Sequence, residues 1–266
     1  MSKGKKGWIM KKYELTNESI LCGGQVLRRI KALTSFNDVS AGDLGGFVGK
    51  EENLSHNGES WVYDNGKVFG NARVYDNAVI AGNAEIRDNA QVYGTAFVCD
   101  EAIVRNNARI YESAYVCDNA SVSGMSRVYG DADIRNDASI NDNACVYDEA
   151  VVFDWATISD DAVICGDAKI FGGAKVYDNA KVSSSKHIVW FSNVGSEDGI
   201  LTAYLTNQNK IGVNRGCFGG SLKEFELAVK KRHGDNSFGK QYMALIQYIK
   251  LRFADVIKKT NPKGDD

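Results

Sequence analysis

The sequence predicts a mainly β chain wound as a parallel β-helix of about seven 18-residue coils, and three observations carry that prediction. From Trp61 to Val182 one six-residue phrase recurs, as in K-V-F-G-N-A, R-V-Y-D-N-A, V-I-A-G-N-A and E-I-R-D-N-A, and all 21 residues at 62, 68, 74 and every sixth position to 182 are Val or Ile. A second anchor position, from 66 to 180, holds Ala in 18 of 20 cases, Gly66 and Ser126 being the exceptions. Proline occurs once, at Pro262, outside the repeat, as expected where nearly every turn donates its N–H groups to the next. A 3.6-residue helix would spread the valines around its circumference, and a hairpin sheet would need reversals that never interrupt the phrase. Three hexads therefore close one triangular coil. Val and Ile fill the walls, Ala sits where walls converge, and the D-N, G-N or N-N pair between them tolerates the left-handed backbone of a tight corner.

The elements follow in order. Residues 1–60 read as an N-terminal β cap over the open edge of the first coil. Within it Ile20–Cys22 and Gln25–Leu33 form two strands joined by Gly23-Gly24, and 43–48 leads into the solenoid at 61–186. The outward residues sort onto three walls. One carries Trp61, Tyr63, Phe97, Tyr115, Phe153 and Phe171, too apolar for water, and is expected to pack on another subunit or a terminal module. A second, with Glu85, Arg87, Arg105, Ser121 and Ser139, reads as water-facing. The third repeats Tyr75, Tyr93, Tyr111, Tyr129 and Tyr147 at 18-residue spacing, flanked by Arg73, Gln91, Arg109 and Arg127. Beyond Val182, residues 187–260 read as a small α+β module. Its strands lie at His187–Phe191, Ile200–Leu205 and Lys210–Val213, and Ser221 to Glu224 is a capping box for a helix ending at Gly234. A second helix spans about Phe238–Lys258, and 261–266 is expected to be disordered.

A net charge of −2 argues against nucleic acid as a partner, and no apolar run is long enough to span a membrane. The basic start (Lys3, Lys5, Lys6, Lys11, Lys12) lacks an apolar region after it, so it reads as a mobile segment rather than a secretory signal. Cys22, Cys99, Cys117, Cys145, Cys165 and Cys217 show no zinc-site spacing. Cys99 and Cys117 stack on neighbouring coils as small wall residues, and free thiols imply a reducing, cytoplasmic setting.

Residues 61–182 resemble the hexapeptide-repeat, left-handed parallel β-helix proteins. The left hand is implied by that resemblance alone, since the general rule for parallel crossovers predicts the other hand. Members of this fold are often acyltransferases and often trimers. The flanks, K-Y-E-L-T-N-E-S-I at 12–20, G-D-L-G-G-F-V at 42–48 and G-C-F-G-G-S-L-K-E-F at 216–225, are similar to a subgroup in bacteria and their phages, which implies no activity.

An acyltransferase of this kind needs a general base, commonly His, near a subunit interface. The repeat contains no His. His56, His187 and His233 all lie in or beside the caps, and the hexads run without an insertion. The tyrosine wall has two readings, a stacked ladder that stabilises the sheet and a groove that stacks a planar group while Arg73, Tyr93, Arg109, Tyr111 and Arg127 hold an anion. A second anion site is read at Arg215 with Gly219, Gly220 and Ser221, where a glycine-rich turn opens a helix, against the plain capping role of Ser221. Nothing in the spacing brings Cys217 and His233 together. The resulting expectation is a non-enzymatic homotrimer, free of cofactor and metal, that binds a small anionic ligand or a protein partner. One concrete version is a phage counter-defence protein that sequesters a nucleotide-type signal. The alternatives are an acyltransferase using acyl-CoA and a structural scaffold.

Overall fold

The computed structural model describes residues 11–260, and the chain divides into two compact units, Met1–Ser123 and Gly124–Asp266. The mobile start read over residues 1–10 and the disordered tail read over 261–266 lie outside the described residues. Lys12, assigned to that mobile start, is instead buried at 5% exposure. Its Nζ donates to Ser60 O at 2.7 Å and Gly58 O at 3.2 Å, because its ammonium closes the orphan carbonyls where the chain enters the first hexad.

In the first unit, strands Tyr13–Cys22 and Gln25–Ala32 form the antiparallel hairpin, with Gly23 and Gly24 at φ 55° and 74° as its turn demands. Leu44–Val48 then pairs antiparallel with the second strand and parallel with Lys67–Val68. This converts hairpin geometry into solenoid geometry and covers the edge of the first coil at Lys67–Val68. Gly45 and Gly46 permit that join: a Cβ would stand 2.5 Å from Val62 O at the first and 2.4 Å from Gly66 O at the second. The rung at Val48, continued by a bridge from Leu54 to Val74, adds one turn to those the hexads supply, so the count is about eight rather than seven.

The hexads are two-residue parallel strands in strict 18-residue register, Val62 on Ile80, Ile80 on Val98 and Val98 on Val116. The Val and Ile series is fully buried, as is the Ala series. At the corners Asp64, Asp76, Asp88 and Asp100 sit at φ 50° to 59°. Their carboxylates accept the N–H one turn on: Gly82 to Asp64 at 3.0 Å, Gly94 to Asp76 at 3.3 Å and Asn106 to Asp88 at 3.0 Å. Asp therefore holds the left-handed corner twice, by tolerating φ > 0 and by bonding the next coil.

In the second unit the rungs continue in the same way, Val128 on Val146 on Ile164 on Val182. They end in an antiparallel sheet of Ile188–Val194, Gly199–Leu205, Ile211–Arg215 and Phe218–Ser221, followed by α1 (Leu222–His233) and α2 (Ser237–Thr260). Leu201, Val213, Phe225, Ile246, Ile249 and Phe253 make their common core. The sheet seals the last coil: Lys175 N donates to Thr202 Oγ1 and Asn214 Nδ2 to Lys175 O, both at 3.2 Å. Gly234 ends α1 at φ 52°, its N–H bonding Lys230 O. Along α1 the buried stripe runs Leu222, Phe225, Val229, while Leu227 is 59% exposed.

The chain is thus a mainly β hexapeptide-repeat solenoid, in line with a left-handed parallel β-helix. The terminal modules cover part of the aromatic wall. Trp61 is 1% exposed, edge-on to Tyr13 and Phe36. In the other unit Trp190 stands edge-on to Phe171 at 4.5 Å. Tyr115, stacked on Phe97 at 5.6 Å, stays 41% exposed.

Candidate functional site

In the first unit the start of the tyrosine wall faces the cap across a cavity of about 510 Å³, lined by Leu54, His56, Arg73, Tyr75 and Gln91 with Glu51 and Glu52 at one side. Each side chain is delivered by an element already described. Arg73 and Tyr75 flank the inward Val74, and Gln91 sits one rung on, in register with Arg73. His56 follows the bridge at Leu54.

Tyr75, Tyr93 and Tyr111 form a continuous stack, with ring centroids 4.8 and 5.0 Å apart and planes within 4° of parallel. Tyr129 and Tyr147 repeat this in the second unit at 4.9 Å. The spacing is that of the β rungs, so the stack is imposed by the coil. Tyr75 Oη donates to Gln91 Oε1 at 3.3 Å. Its phenol is held protonated above the usual tyrosine range, first by burial, then by Tyr93 and Asp76, while the Arg109 and Arg73 guanidiniums pull the other way. Both arginines therefore act on the same ring, and both are exposed.

His56 is fixed by two contacts. Its ring stacks on Tyr13 at 4.4 Å, and its Nδ1 accepts the Lys12 backbone N–H at 3.2 Å. Among the described residues its Nε2 is buried without a hydrogen-bond partner, a carboxylate oxygen of Glu51 standing at 4.0 Å. Burial lowers its pKa below the ordinary histidine value, so the neutral ring prevails at pH 7. With Nδ1 occupied as acceptor, the proton of that neutral ring is on Nε2, which makes it a donor. His187 shows the same pattern, Nδ1 accepting from Ser183 N at 3.3 Å and its pKa lowered by burial. Neither ring presents a free basic nitrogen.

The stretch 215–221 is not the glycine-rich turn that the sequence suggests. Phe218–Ser221 is a fourth sheet strand paired with Ile211–Arg215. The Ser221 N–H donates to Glu224 Oε2 at 2.8 Å, and Ser221 Oγ accepts from Glu224 N at 3.3 Å, so the start of α1 is met by its own carboxylate. Arg215 lines a cavity of about 360 Å³ together with Cys217 and His233, whereas Gly220 and Ser221 line a different, acidic one beside Asp160 and Asp178. The structure thus separates residues the sequence grouped and groups Cys217 with His233, which it did not. The packing of α1 on the sheet, Phe225 against Phe218, brings them together, and no local spacing records it.

Cys99 and Cys117 are joined as a disulfide with Cα atoms 4.6 Å apart, which corrects the reading of both as free wall thiols. Equal hexad positions on adjacent turns place the two Cα atoms within disulfide reach. With Asp100 they bring three potential ligand atoms within 4.8 Å, but sulfurs bonded to each other supply no thiolate for a metal.

No family model matches the chain. Over 72 residues it is 39% identical to an uncharacterized acetyltransferase, YdcK, of Escherichia coli strain K12. That match covers 24% of this chain and 22% of the relative, so it spans about a fifth of the relative's length. Among the described residues no helix is long and apolar enough to cross a membrane.

Proposed function

We propose that this protein is a non-enzymatic binding protein, a homotrimer, that holds a small anionic ligand of nucleotide type on the tyrosine wall. One observation carries the reading: the cavity at the head of the wall combines an aromatic face, Tyr75, with two kinds of donor, the Arg73 guanidinium and the unpartnered Nε2–H of His56. A planar ring stacks on tyrosine, and an anionic oxygen is met by arginine and imidazole N–H. Tyr93, Arg109 and Tyr111 extend the same motif along the wall of the first unit, while Arg127 belongs to the second unit. Arg215, Gly220 and Ser221 line other cavities and Gly219 is paired with Asn214 in the sheet, so none of the four belongs to this ligand's site. Sequestration of a nucleotide-type signal is the concrete version of this reading.

The test is native mass spectrometry of protein purified from cells, followed by thermal-shift titration with cyclic dinucleotides, ADP-ribose derivatives and acetyl-CoA. A nucleotide that raises the melting temperature of the wild type, with Arg73→Ala and His56→Ala each weakening it about 10- to 100-fold, is the expected result. A flat response to every nucleotide in ligand-free protein sinks the reading.

The similarity to YdcK favours a second reading, acetyl transfer from acetyl-CoA. It demands turnover that collapses on substitution of His187 or His233, whereas binding alone gives none. The donor state of His56 and His187 stands against it.

A further inference from the structure

The cavity of about 360 Å³ in the second unit is a different kind of site from the tyrosine wall. Its floor is apolar and aromatic. Phe218 and Phe225 stand with centroids 5.1 Å apart, Tyr242 meets Phe225 edge-on at 5.6 Å, and His233 lies 5.5 Å from Tyr242. Two guanidiniums, of Arg215 and Arg232, line it against a single carboxylate, that of Glu197.

Arg215 is held in place. Its guanidinium lies flat on Gly199, where an added Cβ would come 2.5 Å from Nη1. Nη2 donates to Val194 O at 2.6 Å, and Nε is buried with no hydrogen-bond partner among the described residues. A planar donor fixed in this way, with an N–H unspent, is pre-organised for a carboxylate rather than for a mobile counter-ion. Among the described residues Arg232 is paired with Glu197, at 3.8 Å between two mostly exposed groups, a pair weak enough for a ligand to replace. The volume suits a small ligand.

We propose that this cavity binds a small organic carboxylate whose aromatic or branched body rests on Phe218, Phe225 and Tyr242 while its carboxylate meets Arg215 and Arg232. The apolar floor excludes inorganic anions as the preferred ligand, because they gain nothing from it. The site is separate from the tyrosine wall and does not depend on it.

The experiment is isothermal titration of the full chain with benzoate, with benzyl alcohol as the neutral analogue and inorganic phosphate as the anion without a body, no nucleotide being present. Benzoate is expected to bind, benzyl alcohol about tenfold or more weaker, and phosphate weaker still. Arg215→Lys keeps the charge and loses the fork, and Arg232→Ala removes the second cation; each is expected to weaken benzoate about tenfold. Arg232 is on the surface, so its variant carries the test if Arg215→Lys does not fold. No heat with benzoate at about 10 mM, phosphate binding in its place, or benzoate affinity unchanged in Arg232→Ala overturns the proposal.

Discussion

The Lys12 backbone N–H donates to His56 Nδ1 at 3.2 Å, and that one bond decides what the imidazole is able to do. It fixes the neutral ring with its proton on Nε2, so His56 offers a hydrogen bond to a ligand and no lone pair to an acceptor substrate. Nitrogen-15 spectra at pH 7 are expected to show the Nε2–H tautomer for His56. An Nδ1–H tautomer would restore a general base at this site and weaken the binding reading.

The same ring sets a pH dependence. Its folded pKa is lowered by burial below the ordinary value of 6.5. The unfolded chain therefore holds the proton more tightly, and the contribution to stability is present above about 6.5 and lost as pH falls through the folded value. Wild type is expected to lose stability between pH 7 and 5 by more than His56→Gln does, as read from urea midpoints. Equal slopes would show that the ring titrates as if exposed.

Lys12 gives the complementary case at high pH. Burial pushes its ammonium from 10.5 down to about 8. Between those values the unfolded chain binds a proton that the folded chain lacks, so stability rises from pH 8 towards 10. Relative to Lys12→Met, wild type is expected to gain about 2 kcal/mol between pH 7.5 and 9.5. A difference that does not vary with pH would mean the ammonium keeps its charge throughout.

The register of the coil is tested at Ile110, which is fully buried. Ile110→Asp buries a carboxylate with no partner and is expected to cost on the order of 5 kcal/mol, enough to abolish the cooperative melt. A soluble variant with a sharp transition would refute the inward assignment of that series.

At the corners, Asp88 sits at φ 59°. Asp88→Gly keeps the backbone conformation and loses only the bond to Asn106 N, whereas Asp88→Ala loses the bond and adds left-handed strain. Chemical denaturation is expected to find the Ala variant about 1 kcal/mol less stable than the Gly variant.

Assembly and sulfur chemistry are each open to one measurement. Light scattering is expected to give three times the 29.1 kDa of the chain, with the exposed Tyr115 covered between copies; a monomer would leave that ring to solvent. Alkylation of protein purified without reductant is expected to label Cys217 readily and to leave Cys99 and Cys117 unlabelled until they are reduced.

The sequence by itself determined the solenoid. A six-residue period of Val or Ile with Ala, broken by Asp, Asn or Gly, admits one backbone solution, because each hexad is a local unit and its pairing partner always lies 18 residues away. The hairpin at Gly23-Gly24, the capping box at Ser221 and Glu224, and the stacking of Tyr75 on Tyr93 were legible for the same reason. What the tertiary structure decided lies where partners are far apart in the chain. The cavity between His56 and Arg73, the tautomer imposed by Lys12, the burial of Trp61 under Phe36, and the meeting of Cys217 with His233 all arise from cap segments folding back on coils or helices. No repeat encodes those contacts. The strand Phe218–Ser221 was hidden by its glycines, which local propensity reads as a turn and which pairing with Ile211–Arg215 turns into sheet. The disulfide lay between the two: the spacing put Cys99 over Cys117, and only the 4.6 Å approach of their Cα atoms made a bond of a stack.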